Sequence, residues 1–242
     1  MIVPRAKDIK HKYYMLRLLR AVLTDKYLPH QLQFKGGTYA ALRGLLDRFS
    51  VDLDFDLPEK TEIKKVRERL NKIFDSLGLV IKDESREYLQ FFLEYPAIEG
   101  ERNTLKLEIN DNPSIKNIYE KVNLPELKMY CSGHNPGTMT ANKLAACTAR
   151  FDRTNKIAGR DFYDLHYFLL AGMEINKLVV EDLTGMSYVK YLRRLIKFIE
   201  NKVNERLLLE DLNPLIETGK LKQLKLIKPE LSGLLNDEIK RG

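Results

Sequence analysis

The period of hydrophobic and polar positions changes several times along this chain, and the changes divide it. Over residues 6–28, Ile9, Tyr13, Leu16, Leu19 and Leu23 recur at helical spacing, which predicts a helix ended by Pro29. The turn Lys35-Gly36-Gly37-Thr38 opens a second, short helix with Ala41, Leu42, Leu45 and Leu46 on its apolar side. Residues 49–57 alternate strictly: Val51, Leu53, Phe55 and Leu57 fall on one face, and Asp52, Asp54 and Asp56 on the other. A period of two predicts a half-buried strand. Pro58 and Thr61 introduce a charged amphipathic helix that Gly78 closes. Strands are expected at 79–83, 87–95 and 104–110, the last alternating as cleanly as the first. From about residue 137 only helical periods remain, at 138–151, 160–172, 187–204 and in shorter pieces beyond.

A mixed half followed by a helical half predicts an α+β protein of two lobes with a cleft between them. The boundary is placed in the stretch 111–136, which holds Pro113, Pro125 and Pro136 and reads as irregular. The division expected is 1–125 for the mixed-sheet core and 126–242 for the helical lobe.

Composition narrows the class. At 242 residues, 44% hydrophobic and 31% charged, the chain has the profile of a globular protein with a substantial core. No stretch approaches the roughly eighteen unbroken apolar residues of a membrane helix, and Met1-Ile2-Val3-Pro4-Arg5 does not open the long apolar segment expected of a secretory signal. Two cysteines, Cys131 and Cys147, are too few for a disulfide framework, so a cytoplasmic location is expected. The net charge of +7 favours anionic partners such as nucleoside triphosphates or RNA. Basic residues cluster in the first thirty positions, again at Lys190, Arg193, Arg194, Lys197, Lys202 and Arg206, and at Lys220, Lys222, Lys225 and Lys228.

The chemistry concentrates on the alternating aspartates. Residues i and i+2 of a strand share a face at roughly 6.6 Å between Cα atoms, so Asp52 and Asp54 can reach one ion or bridge a pair. Aspartates are poor strand residues that repel one another on one face, which argues for a cation between them. Asp56 lies too far along the strand to share that ion and reads as solvated or as a cap of the next turn. Glu108, facing away from Leu105, Leu107 and Ile109, is the candidate third carboxylate, as metal ligand or as base. Upstream, Gly36 and Gly37 permit close backbone approach to a phosphate chain, and the Thr38 hydroxyl is placed to cap the helix or touch a phosphate oxygen. Arg48 and Lys35 are further candidates for phosphate contact.

Gly36-Gly37-Thr38, thirteen residues, then Asp52-Leu53-Asp54-Phe55 resembles the signature of the DNA polymerase beta nucleotidyltransferase superfamily. The fuller strings from Lys35 and from Arg48 resemble its AbiEii/AbiGii toxin branch, as do Ala141-Asn142-Lys143-Leu144-Ala145-Ala146 and Gly159-Arg160-Asp161-Phe162-Tyr163-Asp164-Leu165. The resemblance covers most of residues 35–165. It implies a polymerase-beta-like mixed sheet, with Asp52 and Asp54 on Mg²⁺ or Mn²⁺ and the glycine turn on the triphosphate of an NTP. It implies Lys143 on nucleotide phosphates and Asp161 as an acid/base or nucleotide-contacting group, both contributed to the cleft by the helical lobe. Asp164 is expected to orient Arg160 or a neighbour.

The activity implied is transfer of an NMP from an NTP to an acceptor hydroxyl with release of pyrophosphate. The acceptor implied is RNA, especially the tRNA 3′ end, in a toxin–antitoxin or phage-defence setting whose cognate antitoxin forms no stable complex. Nucleotidylation of a protein side chain and a non-catalytic nucleotide- or RNA-binding module are the alternatives. A zinc set of Cys131, His134, Cys147 and His166 matches no zinc spacing, and Cys147 among alanines reads as a small buried thiol.

Overall fold

Alternation at residues 52–56 and 104–110 builds the centre of a sheet in the computed structural model, which describes residues 1–58, 63–85, 87–98 and 100–241. The sheet has strands β1 (Gln33–Lys35), β2 (Asp52–Asp56), β3 (Val80–Glu84), β4 (Leu89–Glu94), β5 (Thr104–Asn110), β6 (Tyr119–Leu124) and β7 (Met129–His134). Their order is β3-β4-β5-β2-β1-β7-β6. The β2–β5 and β1–β7 pairs are parallel and the others antiparallel, so the sheet is mixed. Alternation sets the two faces. Phe34, Leu53, Phe55, Phe91, Leu93, Leu105, Leu107 and Ile109 are buried on one side. Phe34 stacks on Phe55, its register partner, at 4.9 Å between ring centroids. Each such aromatic side chain contributes about 1.5–3 kcal/mol by its burial.

Helices α1 (Ile9–Thr24) and α4 (Ile63–Leu77) belong to the same compact unit, where Phe74 of α4 meets Phe91 edge-on at 5.2 Å. The first helix is shorter than its periodicity suggests. It ends at Thr24, where Asp25 adopts an extended conformation and accepts from the Tyr27 and Leu28 amides. Those bonds start α2 (Leu28–Gln31), so Pro29 begins a helix instead of ending one. The face of α1 also differs: His11, Met15, Leu18, Leu19 and Val22 are buried, while Ile9 and Tyr13 are exposed. Two apolar stripes run along this segment, and the one adjoining the sheet is the buried one. Thr61, expected to open α4, lies outside the described residues.

Within the stretch 111–136 the irregular run is confined to residues 111–118, because β6 and β7 form an antiparallel hairpin beyond it and complete one edge of the sheet. Pro125 falls in its turn, and a division at 125/126 cuts the hairpin at that turn. The chain separates into one compact unit of residues 1–113 and 119–134 and a second of residues 114–118 and 135–242.

The second unit is helical. It contains α5 (Pro136–Thr154), α6 (Gly159–Leu170), α7 (Lys177–Thr184), α8 (Tyr188–Lys202), α9 (Glu205–Leu212) and α10 (Leu224–Arg241). Asn135 caps α5 by accepting from the Thr138 amide, and Asn155 ends it in the left-handed conformation. The last helix is longer than expected. It carries Pro229 in its interior, and Leu224, Ile227, Leu231 and Leu235 form its buried stripe.

Candidate active site

The polar face of the sheet is built strand by strand. Asp54 is flanked in register by Lys35 of β1 and Glu108 of β5, and Asp52 by Lys106. Directly paired residues share a face, so the carboxylates of Asp52, Asp54 and Glu108 and the ammonium groups of Lys35 and Lys106 are neighbours. Asp54 is buried enough, and close enough to Asp52 and Glu108, for its carboxyl to be pushed up to about 6, with Lys35 and Lys106 partly offsetting the rise. Burial would raise Glu108 too, but the hydrogen bond and charge of Lys106, with Gln90 assisting, hold it below its ordinary value.

The turn before α3 (Gly36–Leu42) is fitted to this strand. Gly36 has φ +79°, and a Cβ on it would lie 2.3 Å from Asp54 Oδ2. Only glycine accepts both the left-handed backbone and the carboxylate against it. A Cβ on Gly37 would lie 2.8 Å from both Arg48 Nη2 and Ser50 Oγ. Lys35 occupies the N-cap position of α3 without a side-chain capping bond. Two expectations change here. Thr38 is fully buried and donates its hydroxyl to the Asp52 carbonyl at 2.5 Å, so it ties the turn to the carboxylate strand and is not presented to a phosphate. Arg48 is only 2% exposed and donates to the Phe49 carbonyl, bracing the turn from below.

Asp56 departs furthest from its expected role. It is fully buried, not solvated. Lys35 Nζ lies 2.6 Å from its Oδ1, and His134 Nε2 and the Tyr119 hydroxyl lie 2.8 and 3.1 Å from its Oδ2. Burial alone would raise its carboxyl, but the bond from His134 and the charge of Lys35 bring it down to about 2. Burial keeps the His134 imidazole below its usual range in spite of Asp56. The sequence marks Asp56 only as the third aspartate of the alternation. Lys35, Tyr119 and His134 come from β1, β6 and β7, the last two on the hairpin that the prolines conceal.

In the second unit, Lys143 of α5 joins Asp161 and Asp164 of α6 at 2.9 and 3.0 Å. Asp161 and Asp164, one helical turn apart, are 7% and 0% exposed, so Lys143 is no ordinary surface lysine. Lys143 is thus one neighbour that Asp164 contacts. Cys147, one turn along α5, is a buried free thiol raised well above its ordinary value by burial. Cys131 is likewise buried and free, and His166 pairs with Glu230.

Among the described residues, no group of three or more His, Cys, Asp or Glu side chains is arranged to hold a metal ion. Two carboxylates do suit a hard cation such as Mg²⁺, which commonly binds through one or two carboxylates together with substrate phosphates. The raised Asp54 carboxyl beside Asp52 is the charge that such a cation would neutralise.

A glycine turn set against an Asp-x-Asp strand in a mixed sheet is the layout of a nucleotidyltransferase. The chain belongs to the AbiEii family: the family model for nucleotidyl transferase AbiEii toxins of type IV toxin–antitoxin systems matches residues 17–232. Among solved structures, the chain resembles a candidate nucleotidyltransferase from H. pylori at 21% identity and TM-score 0.60, covering 98% of this chain and 96% of that one. JHP933 from Helicobacter pylori follows at 22% and 0.58, covering 98% and 94%. MenT4, the nucleotidyltransferase toxin Rv2826c from Mycobacterium tuberculosis H37Rv, matches at 18% and 0.54, covering 98% and 88%. These likenesses establish the fold. No curated protein matches the chain. Among the described residues, no helix is long and apolar enough to cross a membrane.

Proposed function

We propose that this nucleotidyltransferase moves an NMP from an NTP onto the 3′ hydroxyl of an RNA, tRNA above all, with release of pyrophosphate. The observation that carries the reading is the Gly36 backbone packed against the Asp54 carboxylate. It brings amide groups suited to phosphate and oxygen ligands suited to a divalent cation to one place on one unit. Asp52 and Asp54 are the ligands assigned to Mg²⁺ or Mn²⁺. Such a cation, when bound, supplies neutralisation of charge on the phosphoryl oxygens.

The chain's own groups do the rest. Gly36 and Gly37 admit the triphosphate to the backbone, while Thr38 and Arg48 hold the turn in place. Glu108, beside Asp54 in register and tied to Lys106, is assigned as the third ligand or the base. Lys143 and Asp161 are assigned to the nucleotide as a preformed ammonium–carboxylate pair, with Asp164 fixing the ammonium. The RNA acceptor is favoured by Lys190, Arg193 and Lys197, which are exposed at helical spacing along α8 and line a groove of about 500 Å³ with Arg194 and Ser187. The family places the chain in a toxin–antitoxin setting. We assign its action to the cytoplasm, with an antitoxin that does not bind it stably.

The test supplies the protein with Mg²⁺, each α-labelled NTP in turn and total bacterial RNA. Label in tRNA-sized RNA supports the reading and names the nucleotide. Label confined to protein replaces RNA with a protein acceptor. NTP binding without pyrophosphate release replaces transfer with a binding role.

A further inference from the structure

Lys35 and Asp54 are directly opposite each other on β1 and β2, yet the Lys35 ammonium is not bound to Asp54. It reaches diagonally to Asp56, whose Oδ1 lies 2.6 Å from Nζ. Opposed strand residues have Cβ atoms about 4.5–5.5 Å apart, within easy reach of a lysine, so the diagonal choice needs a cause. The cause is visible at Asp56. Its carboxylate is fully buried, accepts from the Tyr119 hydroxyl and is held by His134 Nε2, and Asn110 Nδ2 adds a longer contact at 3.3 Å. A carboxylate paired with an ammonium only accepts, so His134 Nε2–H is the donor. Asp56 is thus a fixed anion, and a fixed buried anion claims the nearest cation.

We propose that Asp56, held by His134 and Tyr119, is a positioning residue that draws the Lys35 ammonium away from Asp54 and so keeps the Asp54 carboxylate open to a divalent cation. An ammonium in contact with Asp54 would compete with the ion for the same oxygens. Lys35 held on Asp56 stays next to Asp54 in register without covering its oxygens. The inference deepens the proposed metal site and rests on Asp52 and Asp54 binding the ion.

The test is a cycle of Asp56→Asn, Lys35→Met and the double variant in the full chain. Mn²⁺ affinity is read by titration calorimetry and by the Mn²⁺ electron paramagnetic resonance signal, with melting followed alongside. Asp56→Asn is expected to weaken Mn²⁺ binding by about tenfold or more, because the released Lys35 pairs with Asp54. The double variant is expected to bind within about threefold of Lys35→Met, since with the ammonium gone Asp56 has nothing to divert. A merely structural Asp56 would show no such rescue. Undiminished affinity in folded Asp56→Asn overturns the proposal. So does a double variant about tenfold or more weaker than Lys35→Met, and this comparison decides even where Asp56→Asn alone does not fold. Wild-type protein whose Mn²⁺ binding is absent, or survives Asp54→Ala, removes the metal site itself and the proposal with it. Binding that Asp54→Ala abolishes, without coupling in the cycle, removes the positioning role alone.

Discussion

Gly36 lies so close to Asp54 that a Cβ on the glycine would come within 2.3 Å of the carboxylate Oδ2. The contact welds the turn to the strand. Gly36→Ala should therefore cost activity in two ways, by straining a backbone at φ +79° and by displacing Asp54. The displacement should lower label transfer by about a hundredfold, and the strain should destabilise the fold by about 1–3 kcal/mol. Gly44 is the internal control. It has φ +75° with nothing within 4 Å of a built Cβ, so Gly44→Ala should lose about 1 kcal/mol and keep its transfer rate. Equal activity losses in the two variants would contradict the account.

Asp54 should burden the metal-free fold. Its carboxyl is raised from 3.8 to about 6, so between those values the folded state holds a proton that the unfolded state has released. Stability then falls as pH rises through this window, and the deficit is complete above it. Asp54→Asn should be more stable than wild type by about 1–3 kcal/mol at pH 7.5 in chelator. The difference should shrink towards zero near pH 4. Urea melts across this range check the sign, and a difference that does not vary with pH would place the shift elsewhere.

The network around Asp56 should rank its partners. Tyr119→Phe removes one hydrogen bond and should cost about 0.5–1.5 kcal/mol. His134→Ala removes a buried donor and leaves a void, for about 2–4 kcal/mol. Because Asp56 is depressed from 3.8 to about 2, its contribution should be present in full above about pH 4 and be lost as pH falls from there through about 2. Equilibrium unfolding gives the order directly, and equal losses for the two variants would count against the geometry.

Lys143 is the cation between two buried carboxylates. Lys143→Ala should destabilise the protein by about 2–4 kcal/mol by removing the ammonium that contacts both Asp161 and Asp164. Asp164→Asn added to it should restore part of that loss. If the second substitution deepens the loss instead, Lys143 is not what balances Asp164.

The carboxylate strand was legible because a period of two and an aspartate on every other position leave little else for residues 52–56 to be. The strand carrying Glu108 was legible for the same reason, and its registry with Asp54 follows from β2 and β5 being adjacent. The hairpin of β6 and β7 was not. Tyr119, Glu120, Lys121 and Val122 do not alternate by polarity, and three prolines nearby imitate a linker. The role of Asp56 was hidden with it, since His134 and Tyr119 lie far off in sequence and are brought towards Asp56 of β2 only by the order β2-β1-β7-β6. Arg48 and Thr38 were misjudged for another reason. Polar side chains beside a phosphate-type turn look like ligands in sequence, and burial alone reveals that they brace it. On α1, periodicity found the helix but not its buried face, because Ile9 and Tyr13 compete with Met15 and Leu18 for the core.

The most direct test of the central claim is transfer of α-labelled NTP by wild type and Asp54→Asn side by side, with Mg²⁺, bacterial RNA and matched melting curves. The account predicts labelled RNA and released pyrophosphate from wild type, and neither from an Asp54→Asn protein that melts no lower than wild type. Transfer at the wild-type rate by folded Asp54→Asn would contradict it, and would move the chemistry off the Asp52–Asp54 strand.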